Sequence, residues 1–172
     1  GYTQLNLFGT SYGTRVAQHY VRRYPQRVRS VVLDGVVPPT LSLGPYIVID
    51  AQRALDALFD RCAGTQSCSK AFPNVRDEFN DLRGRLREEA LTLSINDPVT
   101  AEPVEVRFGT AELTAAVRML SYSDETAATL PFLIHEARAL RLQPMAAQYE
   151  MIKRSMQTQL AYGMHFSVVC SE

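Results

Sequence analysis

Leu5-Asn6-Leu7-Phe8-Gly9-Thr10-Ser11-Tyr12-Gly13, near the start of the 172-residue chain, decides how the rest is read. Leu5, Leu7 and Phe8 have the texture of a short buried strand. Gly9 and Gly13 bracket Ser11 in the pattern G-x-S-x-G. That pattern suits a chain that leaves a strand, turns sharply and enters a helix, with the serine strained at the tip of the turn. Glycine on either side lets strand and helix approach without a Cβ clash. A helix N-terminus beneath the serine supplies oriented N–H groups and positive potential. With glycine and serine each near 7% of residues, the bare pattern arises by chance in about one chain in twenty of this size. Its surroundings therefore decide. Val16, Ala17, Tyr20, Val21 and Tyr24 follow at helical spacing, and Pro25 closes the helix. Val28-Arg29-Ser30-Val31-Val32-Leu33 is a second strand. The alternative is a glycine-rich turn in some other βαβ unit, but the dinucleotide fingerprint G-x-G-x-x-G is absent.

The chain is long enough to bury a real core, as one domain or one and a half. Its 18 basic residues balance 18 acidic ones without a basic tract, which argues against nucleic acid as a partner. Arg15, Arg22, Arg23, Arg27 and Arg29 face only Asp34 nearby and read as the solvated face of the helix and its exit loop rather than an anion site. No apolar run approaches a membrane span. No signal peptide is recognisable, but a chain opening on a sheet strand leaves room for an address ahead of it.

After Asp34-Gly35-Val36-Val37-Pro38-Pro39 the texture changes from strand to helix. Tyr46–Cys62 carries Ile47, Ala51, Leu55, Leu58 and Phe59 at three- and four-residue spacing. Cys62 and Cys68 bracket a short segment, and Ala71-Phe72-Pro73 turns the chain. Val75–Ala90 is a second helix with Val75, Phe79, Leu82 and Leu86 inward. Leu91–Ile95 and Val104–Phe108 alternate around Asn96-Asp97-Pro98 as a β-hairpin. Thr110 caps a helix to about Leu120, Ser123 or Asp124 caps another, and Pro131 opens one before Phe132–Leu140. A last helix, Met145 to about Ala161, leads to Gly163–Glu172.

Four places carry a family resemblance: Gly9-Thr10-Ser11-Tyr12-Gly13-Thr14-Arg15; Val32-Leu33-Asp34-Gly35-Val36; Cys62 and Cys68 with Ala71-Phe72-Pro73; and the tail Gly163–Glu172. The chain resembles the tripeptidyl aminopeptidase and proline iminopeptidase-like branch of the α/β-hydrolases, serine exopeptidases acting at free peptide N-termini. The resemblance implies an α/β fold: a partial hydrolase core of strand, elbow, helix and strand, with a mostly helical cap insertion containing a β-hairpin. Residues 1–39 would be the core piece with the nucleophile elbow, 40–163 the cap, and 164–172 the return to the core. It further implies Ser11 as nucleophile, the Tyr12 backbone N–H as an oxyanion donor, and no cofactor. Serine at this place argues against haloalkane dehalogenases and epoxide hydrolases, which use a carboxylate. In such enzymes the triad acid and histidine follow later in the chain. They are expected outside this segment, as are the strands and oxyanion loop that precede the elbow, so the chain reads as an internal piece of a larger enzyme.

The three histidines are poor substitutes for the missing base. His19 lies two turns into the helix and points away from Ser11, His135 sits mid-helix as a surface or packing residue, and His165 precedes the expected return strand. No two are spaced as metal ligands. Glu172 is the candidate carboxylate for a substrate ammonium, against a solvated or capping role. Cys62 and Cys68 are expected to form the family's cap disulfide, against two buried free thiols; Cys170 is left over. A bridge implies a secreted or periplasmic protein, free thiols a cytoplasmic one. The expected partner is a peptide or a small ester or amide substrate. A carboxylesterase or lipase, or a non-catalytic hydrolase-like binding module, are the alternatives.

Overall fold

The computed structural model describes residues 1–171, with Leu43, Pro45 and Gln159 described by their backbone alone. The chain divides into two compact units, the first spanning Gly1–Tyr46 and the second Ile47–Ser171.

In the first unit, strand β1 (Leu5–Thr10) leads into helix α1 (Tyr12–Arg23), a 3-10 turn at Pro25–Arg27 and strand β2 (Val28–Asp34). The strands pair in parallel, with Leu7 opposite Val31, Gly9 opposite Leu33 and Thr10 opposite Asp34. The Asn6 side chain ties the strands together, accepting from Arg29 Nε and Ser30 Oγ at 2.8 Å each. Helix α1 ends where Pro25 removes a backbone donor, and Arg22 and Arg23 in its last turn complement the negative end of its dipole. The strands are not buried as their composition suggests. In β1 only Gly9 is buried, and Phe8 and Val32 are 72% and 55% exposed. The physical reason is simple: among the described residues this sheet has two strands and the packing of one helix, too little to cover both faces.

Helix α2 (Leu43–Gly64) leads into the second unit, followed by α3 (Gln66–Ala71), α4 (Val75–Glu88), the hairpin β3 (Leu91–Asn96) and β4 (Pro103–Phe108), α5 (Thr110–Leu120), α6 (Asp124–Ala127), α7 (Leu130–Arg138), α8 (Gln143–Gln159) and α9 (Tyr162–Ser171). One continuous core joins Leu55, Leu58 and Phe59 of α2 to the α4 face Val75, Phe79, Leu82 and Leu86, and to Phe108, Leu113, Leu130, Ile134 and Met145. The period of the α4 sequence alone identifies its buried face. In the antiparallel hairpin, Ile95 and Val106 are buried between exposed neighbours, and Phe108 is buried after the exposed Arg107. Each fully buried side chain of this kind contributes about 1.5–3 kcal/mol of transfer free energy.

Polar groups fix the joints. Cys62 and Cys68 are bridged, with Cα atoms 5.1 Å apart, tying the end of α2 to α3. Closing so short a loop stabilises by about 2 kcal/mol on the chain-entropy model. Arg76 of α4 forks between Asp56 and Asp60 of α2 and lies over the Phe59 ring. At the hairpin turn Asp97 accepts the Val99 and Thr100 N–H groups at 2.9 Å each and pairs with Arg154 of α8. The backbone donors of Thr100 and Val99, helped by Arg154, hold its carboxyl below the usual carboxylate range.

Two local expectations need correction. Helix α5 is capped by Gly109, and Thr110 is its first residue; the Glu112 carboxylate reaches back to accept the Gly109 N–H at 2.8 Å, which satisfies the helix start without the threonine hydroxyl. The segment expected to return as a strand is instead helix α9. No described strand pairs with it; its backbone groups are satisfied within the helix, and the Ser167 and Ser171 hydroxyls donate back to the Gly163 and Ser167 carbonyls.

Helix α7 ends in a Schellman motif. The Leu140 N–H donates to the Ala137 carbonyl and the Arg141 N–H to the Glu136 carbonyl, both at 3.0 Å. This places Leu140 at φ 65°, a region that suits glycine, with its side chain 62% exposed. Leu140→Gly is therefore expected to stabilise the protein by about 1 kcal/mol, read as a raised urea midpoint at unchanged m-value. A lowered midpoint would mean that the leucine side chain contributes more than its backbone strain costs.

Candidate active site

Ser11 joins β1 to α1 at φ 53° and ψ −121°. A non-glycine residue here is strained by about 1–3 kcal/mol and persists only where its surroundings over-determine it. They do. The Ser11 N–H donates to the Asp34 carbonyl at 2.9 Å, and the Ser11 carbonyl accepts from the Thr14 N–H at 3.0 Å and the Thr14 hydroxyl at 2.7 Å. Gly35, at φ 65°, turns the chain directly after Asp34.

The two motif glycines differ. A Cβ on Gly9 would lie 2.5 Å from the Gly13 carbonyl oxygen and 2.9 Å from the Thr14 nitrogen, so the start of α1 closes on β1 only because Gly9 has no side chain. A Cβ on Gly13 would meet nothing within 4 Å among the described residues. The close approach demands the first glycine and not the second.

Arg15 also departs from its expected role as a solvated charge. It is 8% exposed, and its guanidinium donates to the Pro39 and Leu41 carbonyls at 2.9 Å each. Beside it, Gln18 Nε2 donates to the Val37 and Thr14 carbonyls, and the fully buried Thr14 hydroxyl accepts the Val37 N–H at 2.8 Å. Thr14, Arg15 and Gln18 thus bind one face of α1 to the segment following β2. The one sequence signal for these side chains is their place directly after the G-x-S-x-G pattern.

The candidate residues are not all brought together. Ser11 is exposed at the turn and Tyr12 opens α1, the end of the helix with positive potential. His19 is exposed further along α1. His135 is occupied in the second unit: Nδ1 lies 2.9 Å and 3.1 Å from the two Glu78 carboxylate oxygens, and its ring meets the edge of Phe72. His165 stands on α9 against Phe166. Among the described residues no histidine is hydrogen-bonded to Ser11. Glu172 lies outside the described residues.

A serine presented on a strained strand-to-helix turn, at a helix N-terminus and behind a parallel strand pair, is the arrangement of the α/β-hydrolase fold family. The chain belongs to that family: the α/β-hydrolase fold model matches residues 1–131. Among curated proteins it is similar to the serine protease Hip1 of Mycobacterium tuberculosis and of Mycobacterium bovis, each 30% identical over 130 residues, which is 76% of this chain and 23% of the relative. It is also similar to the putative hydrolase YuaR of Escherichia coli, 31% identical over 109 residues, or 59% of this chain and 22% of the relative. The chain therefore spans less than a quarter of the length of these relatives. No solved structure matches it at the same level of significance.

Proposed function

We propose that this chain carries the nucleophile elbow and cap of a serine exopeptidase that releases residues from free peptide N-termini through an acyl-enzyme on Ser11. The observation carrying the proposal is the Ser11 backbone at φ 53°, held by the Asp34 carbonyl and Thr14 at the mouth of α1. Strain retained at an exposed serine has a use in catalysis and none in packing. Ser11 Oγ attacks the scissile carbonyl carbon while a histidine takes its proton. The C–N bond then breaks, and the amine leaves with that proton. Water hydrolyses the resulting ester by the same route in reverse. The Tyr12 N–H, in the first turn of α1, serves as one oxyanion donor, a contribution of about 3–4 kcal/mol for donors of this type.

The base, the orienting acid, the second oxyanion donor and the strands that cover Phe8 and Val32 belong to parts of the protein outside these 172 residues. The short span of the chain against its relatives supports this reading. On it, the 172-residue chain has no useful activity by itself. Residues 40–163 serve as the cap, 164–172 return to the core, and Glu172 is the anchor for the substrate ammonium. The Cys62–Cys68 bridge favours a secreted or periplasmic setting. The similarity to a protein named a serine protease favours a peptidase over an esterase.

The test uses the complete gene product and an aminoacyl anilide with its amino group free or acetylated. Acetylation should lower kcat/KM about 100-fold or more, because a buried anchoring carboxylate is left without its cation. Glu172→Gln should remove most of that preference. Equal turnover of both substrates, with brisk hydrolysis of simple esters, would instead assign a carboxylesterase. No turnover of any of them would assign a binding module.

A further inference from the structure

Both polar groups of the Ser11 backbone are held by one short segment, Asp34–Val37. The N–H donates directly to the Asp34 carbonyl, 2.9 Å away. The carbonyl is reached through a relay: the Thr14 hydroxyl donates to it at 2.7 Å and accepts the Val37 N–H at 2.8 Å. A threonine hydroxyl has one proton to give and lone pairs to receive with; here it is 0% exposed and used in both directions. Threonines in helices often bond back to a carbonyl three or four residues earlier. The second bond, to a backbone N–H 23 residues away, is what sets Thr14 apart.

We infer that Thr14 is a positioning residue for the Ser11 nucleophile: its hydroxyl holds the strained serine peptide against the Asp34–Val37 segment and so fixes where Oγ points. The inference rests on the reading of Ser11 as nucleophile. Removing the hydroxyl while keeping the shape, as in Thr14→Val, leaves the half-buried Val37 N–H without its acceptor and removes one of two donors to the Ser11 carbonyl. The segment and the serine peptide then lose one of the links that keep φ positive, and with the Asp34 and Thr14 backbone bonds alone Ser11 is freer to shift towards an ordinary conformation. Displacing a reacting atom by about 1 Å costs about 100-fold in rate. Substrate binding elsewhere is untouched, so the loss falls on kcat and not on KM.

The experiment compares wild type, Thr14→Val, Thr14→Ser and Ser11→Ala in the complete gene product. It reads kcat and KM on an aminoacyl anilide and the rate of labelling by a small fluorophosphonate. Thr14→Val should lower kcat and the labelling rate by about 10- to 100-fold with KM changed less than about twofold. Thr14→Ser, which restores the hydroxyl but not the methyl, should recover both rates to within about threefold of wild type. A role in packing alone predicts the opposite order, because valine keeps the volume and serine does not. Wild-type rates in Thr14→Val, equal losses in Val and Ser, or a raised KM at unchanged kcat would each overturn the inference. If Thr14→Val does not fold, Thr14→Cys takes its place. Its weak donor and acceptor should give a rate between wild type and the Ser11→Ala background, and a wild-type rate would overturn the inference. A wild type that does not label, or a Ser11→Ala protein that still does, would overturn the nucleophile reading itself and the inference with it.

Discussion

Ser11→Ala in the complete gene product is expected to abolish turnover and fluorophosphonate labelling, a loss on the order of 10⁴- to 10⁶-fold, because triad members act as a unit. The fold should hardly notice. Ser11 is exposed and its backbone bonds to Asp34 and Thr14 need no hydroxyl of its own, so stability should change by less than about 0.5 kcal/mol. Ser11→Gly separates the hydroxyl from the backbone strain. It should be as inactive as alanine yet more stable by about 1 kcal/mol, since glycine occupies φ 53° without strain. Chemical denaturation followed alongside the activity assay separates the two effects. Turnover within about tenfold of wild type in either variant would assign the nucleophile elsewhere.

Gly9→Ala is expected to have the largest effect on the fold around the serine. The added Cβ would stand 2.5 Å from the Gly13 oxygen and 2.7 Å from its carbon, both backbone atoms at the start of α1 that no rotamer change can move aside. Overpacking of this kind costs about 1–3 kcal/mol or more, and relief comes only by pushing α1 off β1, which carries Ser11 out of place. A falling denaturation midpoint and a falling labelling rate should therefore appear together. Gly13→Ala is the control. Its Cβ enters open space, and alanine in a helix is favoured over glycine by about 1 kcal/mol. Equal losses in the two variants would mean that the close approach is not what Gly9 serves.

The elements that sequence makes legible are those whose signal is local. Leu5–Phe8, the helix that Pro25 ends, and Val28–Leu33 each announce themselves within ten or so residues, and the structure has them as β1, α1 and β2. The inward face of α4 is equally plain. Ser11 as the centre of the site follows from two glycines and the elements on either side. What is not legible depends on partners distant in sequence. Arg15 reads as a surface charge because its acceptors are the carbonyls of Pro39 and Leu41, and every residue has a carbonyl. Thr14 is hidden for the same reason. Leu140 in a left-handed conformation contradicts the propensity of its side chain, and only the carbonyls left open at the end of α7 explain it. The return strand expected at the tail rested on the family resemblance alone, and nothing within the segment itself distinguishes that strand from helix α9.

Among the described residues, the core that runs from Leu55 to Ala146 is built from the second unit's own side chains. The two units are thus constrained by different physical demands. Substitutions at Leu130 or Ile134 are filtered by packing with their own neighbours, and those at Gly9, Thr14 or Asp34 by the demands of one serine. Within the helical unit, change is best tolerated at exposed positions and least at the side chains that fill its core. Among descendants, residues 47–171 should accordingly vary most at positions outside that core, while Gly9, Thr14 and Asp34 change little.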